Sequence, residues 1–232
     1  MKLLAIESAA VTASVAIITD DTLTAEYSVS FKKTHSQTLL PMIDEIVSMI
    51  GLDLNELDAI AISGGPGSFT GLRIGSATAK GLGLALNKPL IHIPTLDAMA
   101  YQIFGTDAAI CPMLDARREN VFTGIYEHNE KFNIIKEQHH SSVKELCEEL
   151  NKLGRRVCFL GDGVRTYESQ IKEYCTVPFF FAKEFANGPR AGTVASLAKI
   201  YFAEGKMQTA TEHAPDYLRL SQAEWELKSK QK

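Results

Sequence analysis

The apolar positions of this chain switch period repeatedly, and each switch marks an element. Alternation predicts strands over Leu3–Glu7, Ala13–Thr19 and Leu23–Ser30. A stripe of Leu39, Leu40, Ile43, Ile46, Val47 and Ile50 then predicts a helix, Ser36–Met49 at its core and His35–Ile50 at its limits. A strand at Ala59–Ser63, a glycine-rich helix over Thr70–Leu86, a strand at Leu90–Ile93 and a helix at Leu96–Phe104 complete a βββαβαβα order. From Ala109 the order restarts, with strands at Ala109–Asp115, Val121–Glu127 and Asn133–Gln138, a helix at Val143–Leu153 and a strand at Arg156–Leu160. A short helix near Val164–Glu173, a strand at Val177–Phe181 and a helix at Gly192–Glu204 close it. The halves share this order without sharing sequence. L-G-D-G-V at Leu160–Val164 also follows the fourth strand of its half, as S-G-G-P-G-S does in the first. The expectation is a duplicated α/β chain: a first lobe over 1–106, a second over 107–205, a cleft between them, and a C-terminal segment with a polar tail over 206–232.

Three antiparallel strands followed by β-α-β-α, twice over, is similar to the plan of actin, Hsp70 and the sugar kinases. Fold alone does not give function. The helix over Thr70–Leu86 is more informative, because Gly71, Gly75, Ala79 and Gly83 recur every fourth residue and leave one stripe almost without side chains. Glycine within a helix costs about 1 kcal/mol relative to alanine, so the stripe implies close approach by another backbone. Two candidates stand: the sheet and neighbouring helix of the same chain, or a second subunit. Arg73, Ser76 and Lys80 make the polar strip of this helix, and Ile74, Thr78, Gly81 and Ala85 form a further weakly polar face. Met42 and Met49, seven residues apart on the shoulder of the preceding helix, suit either an adaptable contact surface or an ordinary core.

Composition narrows the classes. The 232 residues suit one large domain or two lobes, and a net charge of −4 without a long lysine or arginine cluster shows no nucleic-acid surface. Cys111, Cys147, Cys158 and Cys175 are spaced too irregularly for a C-x-x-C metal site and read as buried thiols. Met1 leads straight into L-L-A-I-E, with neither a signal-peptide head nor a membrane-spanning run, which points to the cytoplasm and no membrane partner.

Candidate chemistry is sparse. The turn Gly64–Thr70 offers backbone donors at a helix start, where anions are favoured. It lacks the G-K-[ST] of a P-loop and the third glycine of a dinucleotide fingerprint. Ser8, Gly65, Gly67, Ser68, Gly161 and Gly163 are the candidate nucleotide or anion contacts, against the plainer reading of a turn capped by Ser68 or Thr70. In the first hairpin Ala9, Ala10 and Val11 stand where phosphate-binding relatives of the fold carry glycine, which counts against phosphoryl transfer. The six histidines form no H-x-x-x-H or H-E-x-x-H pair, and no G-x-S-x-G elbow exists, so no catalytic or metal-ligating residue is assigned. D-A-R-R-E-N-V-F at Asp115–Phe122 and P-D-Y-L-R at Pro215–Arg219 are charged patches, and Trp225 in the tail is a candidate partner anchor.

L-L-A-I-E-S near the start, H-S-Q-T-L-L-P-M-I-D at His35–Asp44, S-G-G-P-G-S-F-T-G-L-R-I-G at Ser63–Gly75, L-D-A-R-R-E-N-V-F and P-D-Y-L-R together resemble the bacterial TsaB (YeaZ) family over nearly the whole chain. The resemblance implies a non-catalytic subunit of the machinery that makes threonylcarbamoyladenosine (t6A) in tRNA. Such a subunit pairs with its relative TsaD, helps recruit the ATPase TsaE, depends functionally on TsaC and meets tRNA through the complex. It implies no cofactor of its own, ATP or ADP at the complex interface, and a homodimer when TsaD is absent. In the family the first two helices do the docking. Their counterparts here give His35, Leu39, Met42, Ile46, Met49, Gly71, Leu72, Gly75, Ser76, Ala79 and Gly83 as the expected partner-binding residues. Glu7 stands where many relatives have aspartate, and the H-x-x-x-H metal pair of TsaD is missing. Rival readings are a small ATPase or phosphotransferase of the same fold, and a metallopeptidase of the M22 type.

Overall fold

A computed structural model describes residues 1–31 and 34–218. Trp225, Arg219 and the rest of the polar tail lie outside the described residues. The first sheet has the order β3-β2-β1-β4-β5, from β1 (Lys2–Glu7), β2 (Thr12–Thr19), β3 (Thr22–Ser30), β4 (Ala59–Gly65) and β5 (Leu90–Pro94). The second has β10-β9-β6-β7-β8, from β6 (Thr106–Arg117), β7 (Asn120–His128), β8 (Phe132–Ser142), β9 (Val157–Leu160) and β10 (Phe179–Phe181). Read from the same end, the two orders and their parallel and antiparallel pairings coincide, as the repeated element order predicts.

Strand β1 is buried on both faces, which is why L-L-A-I shows no polar alternation. Leu4 and Ile6 point into a core with α1 (His35–Ile50) and α2 (Phe69–Leu86). Leu3 and Ala5 point the other way, against α6 (Ala191–Ala203). In the second half α4 (Val143–Leu153) and α5 (Asp162–Tyr174) cover one face of the sheet through Leu146, Leu150, Val164 and Ile171. The other face receives α3 (Thr95–Tyr101), whose Leu96, Met99 and Ala100 pack with Ile110, Leu114, Phe122 and Tyr126.

Packing crosses the expected boundaries at 106/107 and 205/206. Helix α3 leaves the first half to cover the second sheet, and α6 returns from the second half to cover the first. The segment after residue 205 packs on the first lobe. Gln208 and Leu90 exchange backbone hydrogen bonds of 3.0 and 2.8 Å, Ala210 joins the α1–α2 core, and the amide of Asp216 donates to Gly64 O at 2.7 Å. Residues 206–218 form a strap across the first lobe.

Candidate functional site

Helix α2 begins at Ser68, whose hydroxyl accepts from the amide of Gly71 at 3.3 Å, and ends at Asn87 in the left-handed conformation. Three flanks follow from its sequence. The inner flank is the small-residue stripe, and the chain itself fills it. A Cβ on Gly71 would collide with the carbonyl of Ser8, one on Gly75 with the Ser8 hydroxyl, and one on Gly83 would press on Leu90 and Ala210. Ala79 is fully buried in the core.

Of the two neighbours the stripe allows, its own chain fills it, with the β1–β2 turn at Gly71 and Gly75 and with β5 and the strap at Gly83. Of the expected partner-binding residues, His35, Leu39, Met42, Ile46, Gly71, Leu72, Gly75, Ser76, Ala79 and Gly83 are all buried within the chain, and Met49 alone is open, at 75% exposure. Bare positions signal a close neighbour without saying whose it is.

The second flank is the polar strip, and it seats the strap. Arg73 lies over the Phe69 ring at 4.2 Å and points Nε to the Tyr217 hydroxyl at 3.4 Å, and the Phe69 and Tyr217 rings stand 5.0 Å apart. Lys80 Nζ donates to His213 O at 2.9 Å and Thr211 O at 3.4 Å. Sequence reasoning missed the strap because it carries no periodicity; its one signal was a polar strip on a helix with no other charge.

The third flank faces outward. Thr70, Ala77, Gly81, Leu84 and Ala85 are exposed along it, Leu84 at 63%, and a Cβ on Gly81 would meet nothing within 4 Å. Helix α1 packs beside α2 and adds the exposed Met49 and Leu40.

The cleft between the lobes, about 430 Å³, is lined by Ala9, Val11, Phe31, His35, Gly67, Ser68, Leu114, Asp115, Arg117 and Asp162 among others. The expected anion contacts do not form an open cradle there. A side chain on Gly67 would strike the carbonyl of Ala9, which also accepts from the Ser68 amide at 2.6 Å. Gly65 backs onto Asp216 O, and Gly161 and Gly163 back onto Met113 O. Ser8 is fully buried, its hydroxyl on Gly71 O at 2.9 Å. These glycines admit the chain's own carbonyls, and the amides of Gly65, Ser68 and Gly161 already donate to Thr95 Oγ1, Ala9 O and Asn187 Oδ1, so they are not free for an anion.

Beneath the turn lies Glu7, fully buried. It accepts from the Ala9 amide at 2.6 Å and from the Ser63 hydroxyl, and burial, outweighing these bonds, pushes its pKa up to about 7. At the far rim Arg117, Arg118 and Glu119 are consecutive left-handed residues, with φ of 69, 55 and 59°. Asp115 holds the first by accepting from the Arg117 amide and from the Tyr167 hydroxyl, both at 2.8 Å. Asn120 Nδ2 donates to Arg118 O at 2.6 Å. Three such backbones in a row cost roughly 1–3 kcal/mol each and persist where surroundings enforce them.

Among the described residues no three His, Cys, Asp or Glu side chains are placed to hold a metal ion, and no helix is long and apolar enough to cross a membrane. All four thiols are buried, and burial raises those of Cys147 and Cys158 to about 12 and 11.

The family model described as TsaD, tRNA N6-adenosine threonylcarbamoyltransferase, matches residues 26–227. The tRNA threonylcarbamoyladenosine biosynthesis protein TsaB of Bacillus subtilis is 31% identical over 227 residues, covering 97% of this chain and 96% of that protein. Its namesake in Escherichia coli is 32% identical over 228 residues, covering 94% and 95%. The chain belongs to the TsaB family. The solved YeaZ of Pseudomonas aeruginosa, 24% identical, has the same fold with a TM-score of 0.79 over 94% of this chain and 99% of that one. Because these matches run nearly end to end, both lobes and the strap fall within the span shared with TsaB proteins.

Proposed function

We propose that this chain serves t6A biosynthesis as an accessory subunit with no catalysis of its own. It docks on TsaD through the outward flank of α2 and the adjoining α1, and the pair then offers TsaE a composite site. The observation that carries the reading is the open line Ala77, Gly81, Leu84 and Ala85, which lets a partner helix approach the backbone and bury Leu84 and Met49. The self-occupied loop supports the non-catalytic part, since the amides of Gly65, Ser68 and Gly161 that would cradle a phosphate already donate within the chain. On this reading ATP or ADP sits at a subunit boundary, TsaC supplies its product to the complex, tRNA is held by the assembly, and the chain works in the cytoplasm. A face built for TsaD also pairs with a second copy when TsaD is missing.

Co-purification with TsaD tests the proposal through Ala77→Arg and Gly81→Arg. Both sites are exposed, so stability is expected to stay within about 0.5 kcal/mol or rise at the glycine, while TsaD binding falls at least a hundredfold. Undiminished binding by the double variant overturns the docking surface.

A further inference from the structure

The strap is fastened by an unusual residue. His213 is 2% exposed, and its Nδ1 lies 2.8 Å from Gln208 Nε2. With Gln208 donating, the ring's own proton sits on Nε2, which is buried without a partner. The groups around it are mostly cationic or neutral. Lys80 of α2 donates to the carbonyl of His213 itself, and the ring of His92 from β5 is 5.6 Å away. Asp216 holds His92 Nε2 at 3.1 Å and is the nearby carboxylate, while Glu212 is turned onto Thr209. A second proton on the imidazole would convert the Nδ1 acceptor into a donor, break the bond from Gln208, and set a cation beside Lys80 and His92.

We propose that His213 is an acid-sensitive latch: protonation of its imidazole releases residues 208–217 from α2 and uncovers the flank carrying Phe69, Arg73 and Lys80, while both sheets stay folded. The closed strap needs the neutral ring. Burial first, then His92 and Lys80, hold the pKa of His213 down at about 4 against an ordinary 6.5. A base with a depressed folded pKa binds its proton more readily when released, so closure is fully stable above pH 6.5 and weakens about tenfold per pH unit down to 4. The latch acts on the strap alone, and it stands whether or not the outward flank of α2 binds TsaD.

Amide hydrogen exchange on the full chain tests it, read as protection factors so that the intrinsic pH dependence of exchange cancels. The amides of Gln208 and Asp216, bonded to Leu90 O and Gly64 O, are expected to lose about fortyfold protection between pH 6.5 and 4.5. Those of Ala109 and Val157, bonded within the second lobe, are expected to hold theirs. His213→Gln keeps the side chain neutral, and its strap amides are expected to change by less than tenfold over the same range. Where the variant's strap is open at every pH, the wild-type imidazole decides by NMR: a titration midpoint well below 6.5, with strap protection falling from pH 6.5 towards that midpoint, supports the latch. A midpoint near 6.5, pH-independent strap protection in the wild type, or equal loss in the variant overturns it.

Discussion

The hydroxyl of Ser8 donates to the carbonyl oxygen of Gly71 across 2.9 Å, joining the end of β1 to the first turn of α2 inside the protein. Gly75 lies one turn further on, directly over the same hydroxyl. This contact, more than any partner, accounts for glycine at both helical positions.

Gly75→Leu is therefore expected to damage the isolated chain. The new side chain would meet Ser8 and Ile62, and overpacking of this kind costs about 1–3 kcal/mol or more. Thermal unfolding of the monomer should show it without any partner present. Gly81→Leu, in open space, should leave the melting temperature unchanged or raise it.

Stability should depend on pH through Glu7. Its folded pKa of about 7 lies above the ordinary 4.5, so the folded chain holds the extra proton between those values. Stability is then full below pH 4.5 and falls as pH rises through 7, by about 3 kcal/mol in all at 1.36 kcal/mol per unit. Glu7→Gln imitates the protonated acid. Denaturant titrations at pH 5 and pH 8 should find the variant more stable at pH 8 and that slope removed.

A second buried carboxylate ties the halves. Tyr126 of β7 donates its hydroxyl to Asp97 of α3 at 2.8 Å, and burial lifts Asp97 to about 6. Tyr126→Phe deprives that carboxyl of its donor, at a cost of about 1–3 kcal/mol. The loss should be larger at pH 8, where Asp97 is charged, than at pH 5, and chemical denaturation at the two pH values reads it.

Thiol chemistry should be silent in the folded state. Cys111, Cys147, Cys158 and Cys175 are buried, and burial raises the thiol pKa at all four. An aromatic disulfide reagent at pH 8 should label none in the time it takes to label all four in guanidinium.

Element order was legible because β1, β4 and β6 keep long apolar runs and α1 a clean stripe, and these signals survive any arrangement of neighbours. Ends were less so: β6 opens at Thr106 instead of Ala109, β8 runs on through His139 and His140 to Ser142, and α5 starts at Asp162 instead of Val164. The strands were extended by ladder bonds and α5 by the backbone bond from Val164 N to Gly161 O, neither of which periodicity registers. The glycine-rich loop is ambiguous for a related reason. Gly65, Gly67, Gly161 and Gly163 need room, but a sequence does not say whether an amide, a carbonyl or a ligand takes it. The α2 stripe is open to two readings in the same way, and the strap, with one isolated bridge to β5 for secondary structure, had no pattern to read.

The exchange of α3 and α6 between the sheets makes the two halves mutually dependent for folding. A fragment ending near residue 106 would keep only Ala98 and Tyr101 of α3 over Leu3, Ala5, Ile91 and Ile93, having lost α6, and the remainder would leave Ile110 and Tyr126 without Leu96, Met99 and Ala100. A gene cut at the repeat boundary should thus yield two insoluble products, which recover a fold only when they are made together.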